Sequence, residues 1–284
     1  MIENKRPTGT KQVDLFELLT LAKQTAALGA AIHREGMGAE HRVATKSTRT
    51  DLVTEIDREA ENTMVKALVK ARPDDAIVAE EGSARDGKTG VRWIIDPLDG
   101  TVNYVYGYPA FAVSICAEVD GKYRVGVVHD SFHGRVYAGI LGHGANCDGV
   151  PIRVNPVAEL SDALLGTGFS YHAAARARQG EQLARVLPRA RDIRRSGSAA
   201  IDLCLLATGQ IDAYYEAGLN PWDYAAGGVI ATEAGARVMA FFPKSGPVPL
   251  IVAGNPRISE KLFDLLSEIG AIDPCEAQVK LWGE

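Results

Sequence analysis

Between Ala76 and Leu141 the chain sets out five apolar runs in close succession: "AIVAEE" (76–81), "VRWIID" (91–96), "FAVSICAEV" (111–119), "YRVGVVHD" (123–130) and "GRVYAGIL" (134–141). Each is short, rich in β-branched or aromatic residues and bounded by turn-forming residues, which is the pattern of a buried strand. The gaps between the last three are too short for a helix. Those runs must therefore fold back on one another as an antiparallel meander.

The segments on either side of the meander keep a different rhythm. Leu15, Leu18, Leu19, Ala22 and Ala26 recur at helical spacing between Val13 and His33, and Ile56, Ala60, Met64, Ala67 and Leu68 form the stripe of a second helix that starts at Thr54. After residue 160 strands and helices alternate. The spacing predicts strands over 162–169, 192–195, 211–218 and 250–254, and helices over 173–187, 198–209, 220–235 and 257–269. Asn220 and Pro221 suit the cap and first turn of the third of these helices, and Gly209 stops the second. Strand runs followed by alternation point to a layered α/β protein, with halves 1–155 and 156–284 meeting near "GVPIRVNPVAEL" and forming one compact unit.

With 284 residues the chain can bury a large core, and its net charge of -5 argues against a nucleic-acid or membrane-surface binder. No apolar stretch reaches the roughly 20 residues of a membrane span, and "MIENKRPTGTKQ" has no signal-peptide core. Cys116, Cys147, Cys204 and Cys275 form no CxxC pair, and Cys116 and Cys204 read as small core residues. The expectation is a reduced, cytoplasmic protein without a membrane partner.

"GSARDGKT" (82–89) matches the phosphate-loop pattern G-x-x-x-x-G-K-[ST]. That pattern cradles phosphate only when a strand enters and a helix leaves. Here the strand-like "VRWIID" leaves, so the segment reads as a surface turn.

Acidic residues collect at the ends of the predicted elements. Asp96 and Asp99 close an apolar strand in "WIIDPLDGT", Glu80 and Glu81 close another, Asp57 follows Thr54 in "TEID", and Asp223 lies in the first turn of a helix. Each has a plain alternative: a turn, solubility at a strand exit, a capping box, or a charge suited to a helix dipole. Taken together they lie where α/β sheets present ligands. Close carboxylates repel unless a cation relieves them, and an all-carboxylate set suits a hard cation such as Mg²⁺. None of the six histidines shows paired ligand spacing, which argues against zinc. Gly100-Thr101 then opens a helix whose free amides suit an anion. Metal beside phosphate describes a metal-assisted phosphoester hydrolase. D-P-L-D is one residue longer than the D-x-D of aspartyl-phosphate enzymes, which disfavours a covalent route.

The chain resembles the inositol monophosphatase family in "DLVTEID" (51–57), "EEG" (80–82), "WIIDPLDGTVNY" (93–104) and "WDYAAGG" (222–228), within a likeness that spans about residues 15–268. Leu98 and Val102 depart slightly from the family's commoner Ile and Thr. The resemblance implies an αβαβα sandwich, a homodimer, and lithium-sensitive hydrolysis using two to three Mg²⁺ ions. It implies that Glu80, Asp96 and the Leu98 carbonyl hold one ion and that Asp96, Asp99 and Asp223 hold another. Glu80 would also help a third, weaker ion, with Asp57 supporting its waters. Thr101 and Glu80 would orient the attacking water, and the Gly100 and Thr101 amides would hold phosphate. Gly197, Ser198 and Ala199 would line the substrate, Glu216 would accept ring hydroxyls, and Lys46 matches a mobile basic position over the site.

These expectations make the chain a phosphatase of small sugar-like monoesters, with myo-inositol 1-phosphate as best guess. Histidinol phosphate, fructose 1,6-bisphosphate, NADP(H) and 3′-phosphoadenosine phosphates are the alternative substrates. Glu216 favours a polyol, because a carboxylate suits hydroxyls and repels a second phosphate. A regulatory protein built on the same fold, which binds transcription machinery, is the alternative of a different kind.

Overall fold

A computed structural model describes residues 13–39, 43–48, 52–243, 248–272, 277–279 and 281–282. Asp14 caps helix α1 (Leu15–Gly36), its Oδ1 accepting the amides of Phe16 at 2.8 Å and Glu17 at 3.3 Å. A hairpin of β1 (Val43–Thr45), which is exposed, and β2 (Leu52–Thr54), whose Val53 and Thr54 are buried, leads into α2 (Glu55–Ala71). The next strands are β3 (Ala76–Ala79), β4 (Ala84–Arg85) and β5 (Val91–Asp99), followed by the short helix α3 (Thr101–Tyr106). The expected meander then appears as β6 (Ala112–Val119), β7 (Lys122–Asp130) and β8 (Arg135–Ile140), extended by β9 (Ala145–Cys147) and β10 (Val150–Pro151). These strands form an eight-stranded sheet in the order β10-β9-β8-β7-β6-β5-β3-β4, antiparallel except where β3 runs beside β5. The 82–89 segment carries β4 and delivers the chain to β5, so no helix leaves it.

The second half contributes β11 (Leu164–Thr167), α4 (Ala173–Val186), β12 (Asp192–Arg194), α5 (Ala199–Ala207), β13 (Ala213–Ala217), α6 (Pro221–Glu233), β14 (Arg237–Phe242), β15 (Leu250–Gly254), α7 (Pro256–Glu268) and β16 (Ala277–Val279). Its sheet runs β12-β11-β13-β15-β14-β16, parallel at β12-β11-β13 and antiparallel beyond. The spacing argument passed over β14, although it pairs with β15 from Arg237↔Gly254 to Phe241↔Leu250. Only a tight turn separates it from helix α6, and the helical reading over 220–235 leaves "RVMAFF" without an element. The β1–β2 hairpin is hidden for another reason: β1 is exposed throughout and has no apolar alternation.

Side-chain alternation sorts these elements into layers. Trp93, Ile95, Val113, Ile115, Val125 and Val127 face Leu18, Ala22, Ala26, Met64 and Leu68 of α1 and α2. Their strand neighbours Ile94, Cys116 and Val128 point the other way, into a core shared with α5, α6 and the inner face of the second sheet (Tyr214, Ala240, Ile251, Ala253). Leu165, Ala213, Tyr215 and Val252 on that sheet's outer face meet Ile258, Leu262 and Leu265 of α7. The layers therefore run helix, sheet, helix, sheet, helix, as expected. α1 is long and apolar enough by length and composition to cross a membrane, contrary to the sequence expectation, but its small-residue stripe is spent on the sheet. Cys116, Cys147 and Cys204 are free thiols; Cys275 lies outside the described residues.

Small residues set the closeness of the central layer. A Cβ at Gly126 of β7 would overlap the Ala226 carbonyl of α6, and one at Gly227 would come within 2.7 Å of Leu203 Cβ on α5. Gly126→Ala should therefore push α6 off the first sheet and cost about 1–3 kcal/mol of stability, as overpacking does. Urea denaturation of the variant beside the parent protein checks this, and an unchanged midpoint would contradict the close approach.

Candidate active site

Strand β5 leaves the sheet through Asp96-Pro97-Leu98-Asp99. In a regular strand residues three apart face opposite ways. Here Asp96 pairs with Ser114, the register then slips, and Asp99 pairs with Ala112. Such a bulge re-aims side chains and lets both acids serve one site. Asp96 Oδ1 accepts the Leu98 amide at 3.0 Å. The chain turns at Gly100, whose φ of 91° is left-handed and whose Cβ, if it had one, would lie 2.7 Å from the Ala110 carbonyl. Only glycine meets both conditions, and α3 starts directly after it.

Asp57 serves two purposes. Its Oδ2 accepts the Thr54 amide at 2.8 Å and the Thr54 hydroxyl at 2.6 Å, completing the capping box of α2. Its Oδ1 lies 2.8 Å from Thr101 Oγ1, which is also 3.1 Å from the Leu98 carbonyl. The capping reading is thus correct, and the other carboxylate oxygen reaches Thr101. Asp57 is fully buried, and burial raises its proton affinity against the pull of these hydrogen bonds.

Glu80 and Glu81 follow β3. Glu61 of α2 holds their turn by accepting the amides of Glu81 at 2.7 Å and Ser83 at 2.9 Å. Lys46 Nζ lies 2.7 Å from Glu80 Oε1 and also pairs with Glu81. Burial works against the Lys46 ammonium, but the two carboxylates outweigh it and hold the proton on. Lys46 thus pairs with both glutamates that follow β3.

From the second half, Ser198 caps α5 and donates to Asp99 Oδ2 at 2.7 Å, and the Ala200 amide reaches the same oxygen at 2.7 Å. The Ser198 hydroxyl is therefore committed to Asp99, and Ala199 is buried at the helix start. Gly197 has a φ of 92°. Asn103 of α3 ties the preceding turn down by donating to the Ala110 carbonyl at 2.6 Å and the Ser196 carbonyl at 2.9 Å. Asp223 completes a capping box at the start of α6, its Oδ2 accepting the Asn220 amide at 2.7 Å. Ser114 on the first sheet donates to the Trp222 carbonyl at 3.0 Å, which anchors that helix start beside β5. Glu216 ends β13 and receives the Tyr214 hydroxyl at 2.7 Å. Its carboxyl rests where a Gly168 Cβ would be, so it is no free solvent-facing strand end.

The acids sense one another. Burial raises the proton affinity of Asp96 well above the usual range, and Glu80, Asp99 and Asp223 add to it. Burial does the same for Asp223, with Glu80, Asp99 and Glu216 contributing. Asp99 is raised too, first by burial, against the hydrogen bonds from Ser198 and Ala200. Among the described residues no three Asp, Glu, His or Cys heads close on one point as a finished ligand cluster. The donor set nonetheless fits a hard cation. It is made of carboxylates in mutual repulsion, and a cation relieves that repulsion where a proton otherwise must. Sequence reasoning missed Asn103, the Ser198–Asp99 bond and Arg195. Arg195 stands over Gly197, and its signal is the basic pair preceding "SGS".

The Inositol monophosphatase family model matches residues 14–271. Inositol-1-monophosphatase SuhB of Mycobacterium tuberculosis (strain ATCC 25618 / H37Rv) is 45% identical over 262 residues, covering 89% of each chain. Nus factor SuhB of Vibrio cholerae is 40% identical over 267 residues, covering 90% of this chain and 98% of that protein. The crystal structure of extragenic suppressor protein suhB from Bartonella henselae superposes with a TM-score of 0.82 at 31% identity, covering 89% of this chain and 99% of that one.

Raised proton affinities make a signed prediction for the metal-free protein. A carboxyl whose folded pKa exceeds its unfolded one stabilises the fold below the unfolded value, and that contribution is lost as pH rises through the folded value. Asp96→Asn removes this liability. It should raise the melting temperature of chelator-treated protein, and more so at pH 8 than at pH 5. Comparing variant with parent at each pH cancels the opposite contribution of His33, which burial holds neutral down to about 3. A gain independent of pH would contradict the carboxylate repulsion.

Proposed function

The chain belongs to the inositol monophosphatase family, and we propose that it hydrolyses a small polyol phosphate monoester, best represented by myo-inositol 1-phosphate. The carrying observation is the patch of coupled carboxylates at Glu80, Asp96, Asp99 and Asp223 beside the Gly100 turn. Such a patch is unfavourable for a chain to build unless it holds cations.

In this reading Glu80, Asp96 and the Leu98 carbonyl hold one Mg²⁺, and Asp96, Asp99 and Asp223 hold a second. Glu80 assists a third, weaker one. When bound, Mg²⁺ lowers the pKa of a coordinated water and offsets charge on the transferred phosphoryl group. The chain's own residues supply the rest. Asp57 spends Oδ2 on the Thr54 cap and takes the Thr101 hydroxyl proton on Oδ1. The Thr101 oxygen then keeps lone pairs to accept from a water, which Thr101 and Glu80 orient. The Gly100 and Thr101 amides receive phosphate oxygens. Gly197, Ser198 and Ala199 border the substrate, with Ser198 acting through Asp99. Glu216, held by Tyr214, accepts ring hydroxyl protons, and no covalent intermediate is needed. Lys46 screens Glu80, a carboxylate that a bound cation would share.

We read the working protein as a cytoplasmic homodimer. The exposed aromatics Tyr106, Tyr108 and Phe132 suit such a contact. The name of the Vibrio cholerae relative supports a second reading, in which the same fold binds transcription machinery. Retention of that binding by a phosphatase-dead variant would separate the two roles.

The test is phosphate release from a panel: inositol 1-phosphate, histidinol phosphate, fructose 1,6-bisphosphate, NADP(H) and a 3′-phosphoadenosine phosphate. Chelation should abolish activity and Mg²⁺ restore it, while lithium or excess Mg²⁺ inhibits. Full activity without metal would sink the reading. Glu216→Gln should lower kcat/KM for inositol 1-phosphate about ten- to a hundredfold, the worth of a charge-assisted hydrogen bond, and spare a simple aryl phosphate. Equal losses on both substrates would reassign Glu216 to the metal site or the fold.

A further inference from the structure

Two glycines in the second half act as floors for two charged heads of opposite sign. A Cβ at Gly168 would overlap the Glu216 carboxyl. A Cβ at Gly197 would overlap Arg195 Nη1 and lie 2.9 Å from Asn103 Nδ2. The turn through residues 195–197 thus folds the Arg195 guanidinium back over its own backbone, and Asn103 locks that turn through the Ser196 carbonyl.

The guanidinium has work left to do. Among the described residues Arg195 makes no hydrogen bond or ion pair, although its neighbours Arg194 and Arg191 both do. Its charge nevertheless reaches Glu216, and it favours the ionised form of that carboxylate against burial. Asp202, buried beneath on α5, keeps Oδ1 without a partner. Arg195, Ser196 and Asp202 also line a cavity of about 440 Å³ bordered by Tyr108 and Arg135. Arg195 thus lines that cavity with its donors unspent, its head against Gly197 and one residue from the Ser198 that binds Asp99, while Glu216 lines a separate recess with Gly168.

A hydroxyl both donates and accepts, whereas a carboxylate can only accept and a guanidinium can only donate. Glu216 alone satisfies half of what each ring hydroxyl offers. We propose that Arg195 is a specificity-determining residue: its guanidinium donates to hydroxyl oxygens of the polyol whose hydroxyl protons Glu216 receives. The two heads together select neighbouring hydroxyls on the substrate ring. This rests on the polyol reading above and adds a residue to it.

The experiment compares Arg195→Ala and Arg195→Lys with the parent enzyme on inositol 1-phosphate, fructose 1,6-bisphosphate and 4-nitrophenyl phosphate. It also measures inhibition by free myo-inositol. Arg195→Ala should raise KM for inositol 1-phosphate and the inhibition constant of myo-inositol together, each by about tenfold, with kcat nearly unchanged and the aryl phosphate unaffected. Arg195→Lys should recover part of the loss. Equal losses on inositol and aryl phosphates would make Arg195 structural, and losses confined to the bisphosphate would make it a phosphate subsite; either overturns the proposal. If the parent enzyme hydrolyses aryl phosphate but no polyol phosphate, the polyol reading fails and this inference falls with it. If it hydrolyses both and Arg195→Ala spares inositol 1-phosphate, this inference alone fails.

Discussion

Repulsion among buried carboxylates governs this molecule. Glu80, Asp99 and Asp223 raise the proton affinity of buried Asp96, and Glu80 and Asp99 that of half-buried Asp223, on top of the larger effect of desolvation. Folding tolerates this because each acid is tethered: Asp96 by the Leu98 amide, Asp99 by Ser198 and Ala200, Asp223 by the Asn220 amide, Glu80 by Lys46. The tethers come from four separate stretches of chain. The rest of the fold can be understood as the scaffold that brings those stretches to one end of β5.

That scaffold depends on small side chains as much as on apolar ones. The Ala-Ala-Gly-Gly run of α6 lets the helix lie on Gly126 and against Leu203, which carries Asp223 to the carboxylates of the other half. Gly100, Gly168 and Gly197 then leave room for a turn, a carboxylate and a guanidinium. In each case the missing Cβ is replaced by a polar group, so added bulk would be felt at the site.

Much of this was legible in the sequence because the signals were local. The 3.6-residue stripe of α1 named the helix and its buried face, and the turn-bounded apolar runs named β6 and β7. Asp96 and Asp99 stood out as acids where an apolar strand ends, and Asp57 as the partner of its own cap. β14 did not stand out, because its strand character comes from pairing with β15 and β16 across long sequence separations. Nor did the Ser198–Asp99 bond, which joins residues 99 positions apart. Arg195 was invisible for a third reason: its place is set by the backbone of Gly197, and a glycine in a sequence does not say what occupies its missing side chain.

Helix α6 belongs to the second half by sequence, yet it covers the inner face of the first half's sheet. A recombination break near residue 155 would therefore separate a sheet from its own cover and an acid from its neighbours. Halves that look modular along the chain are not heritable modules.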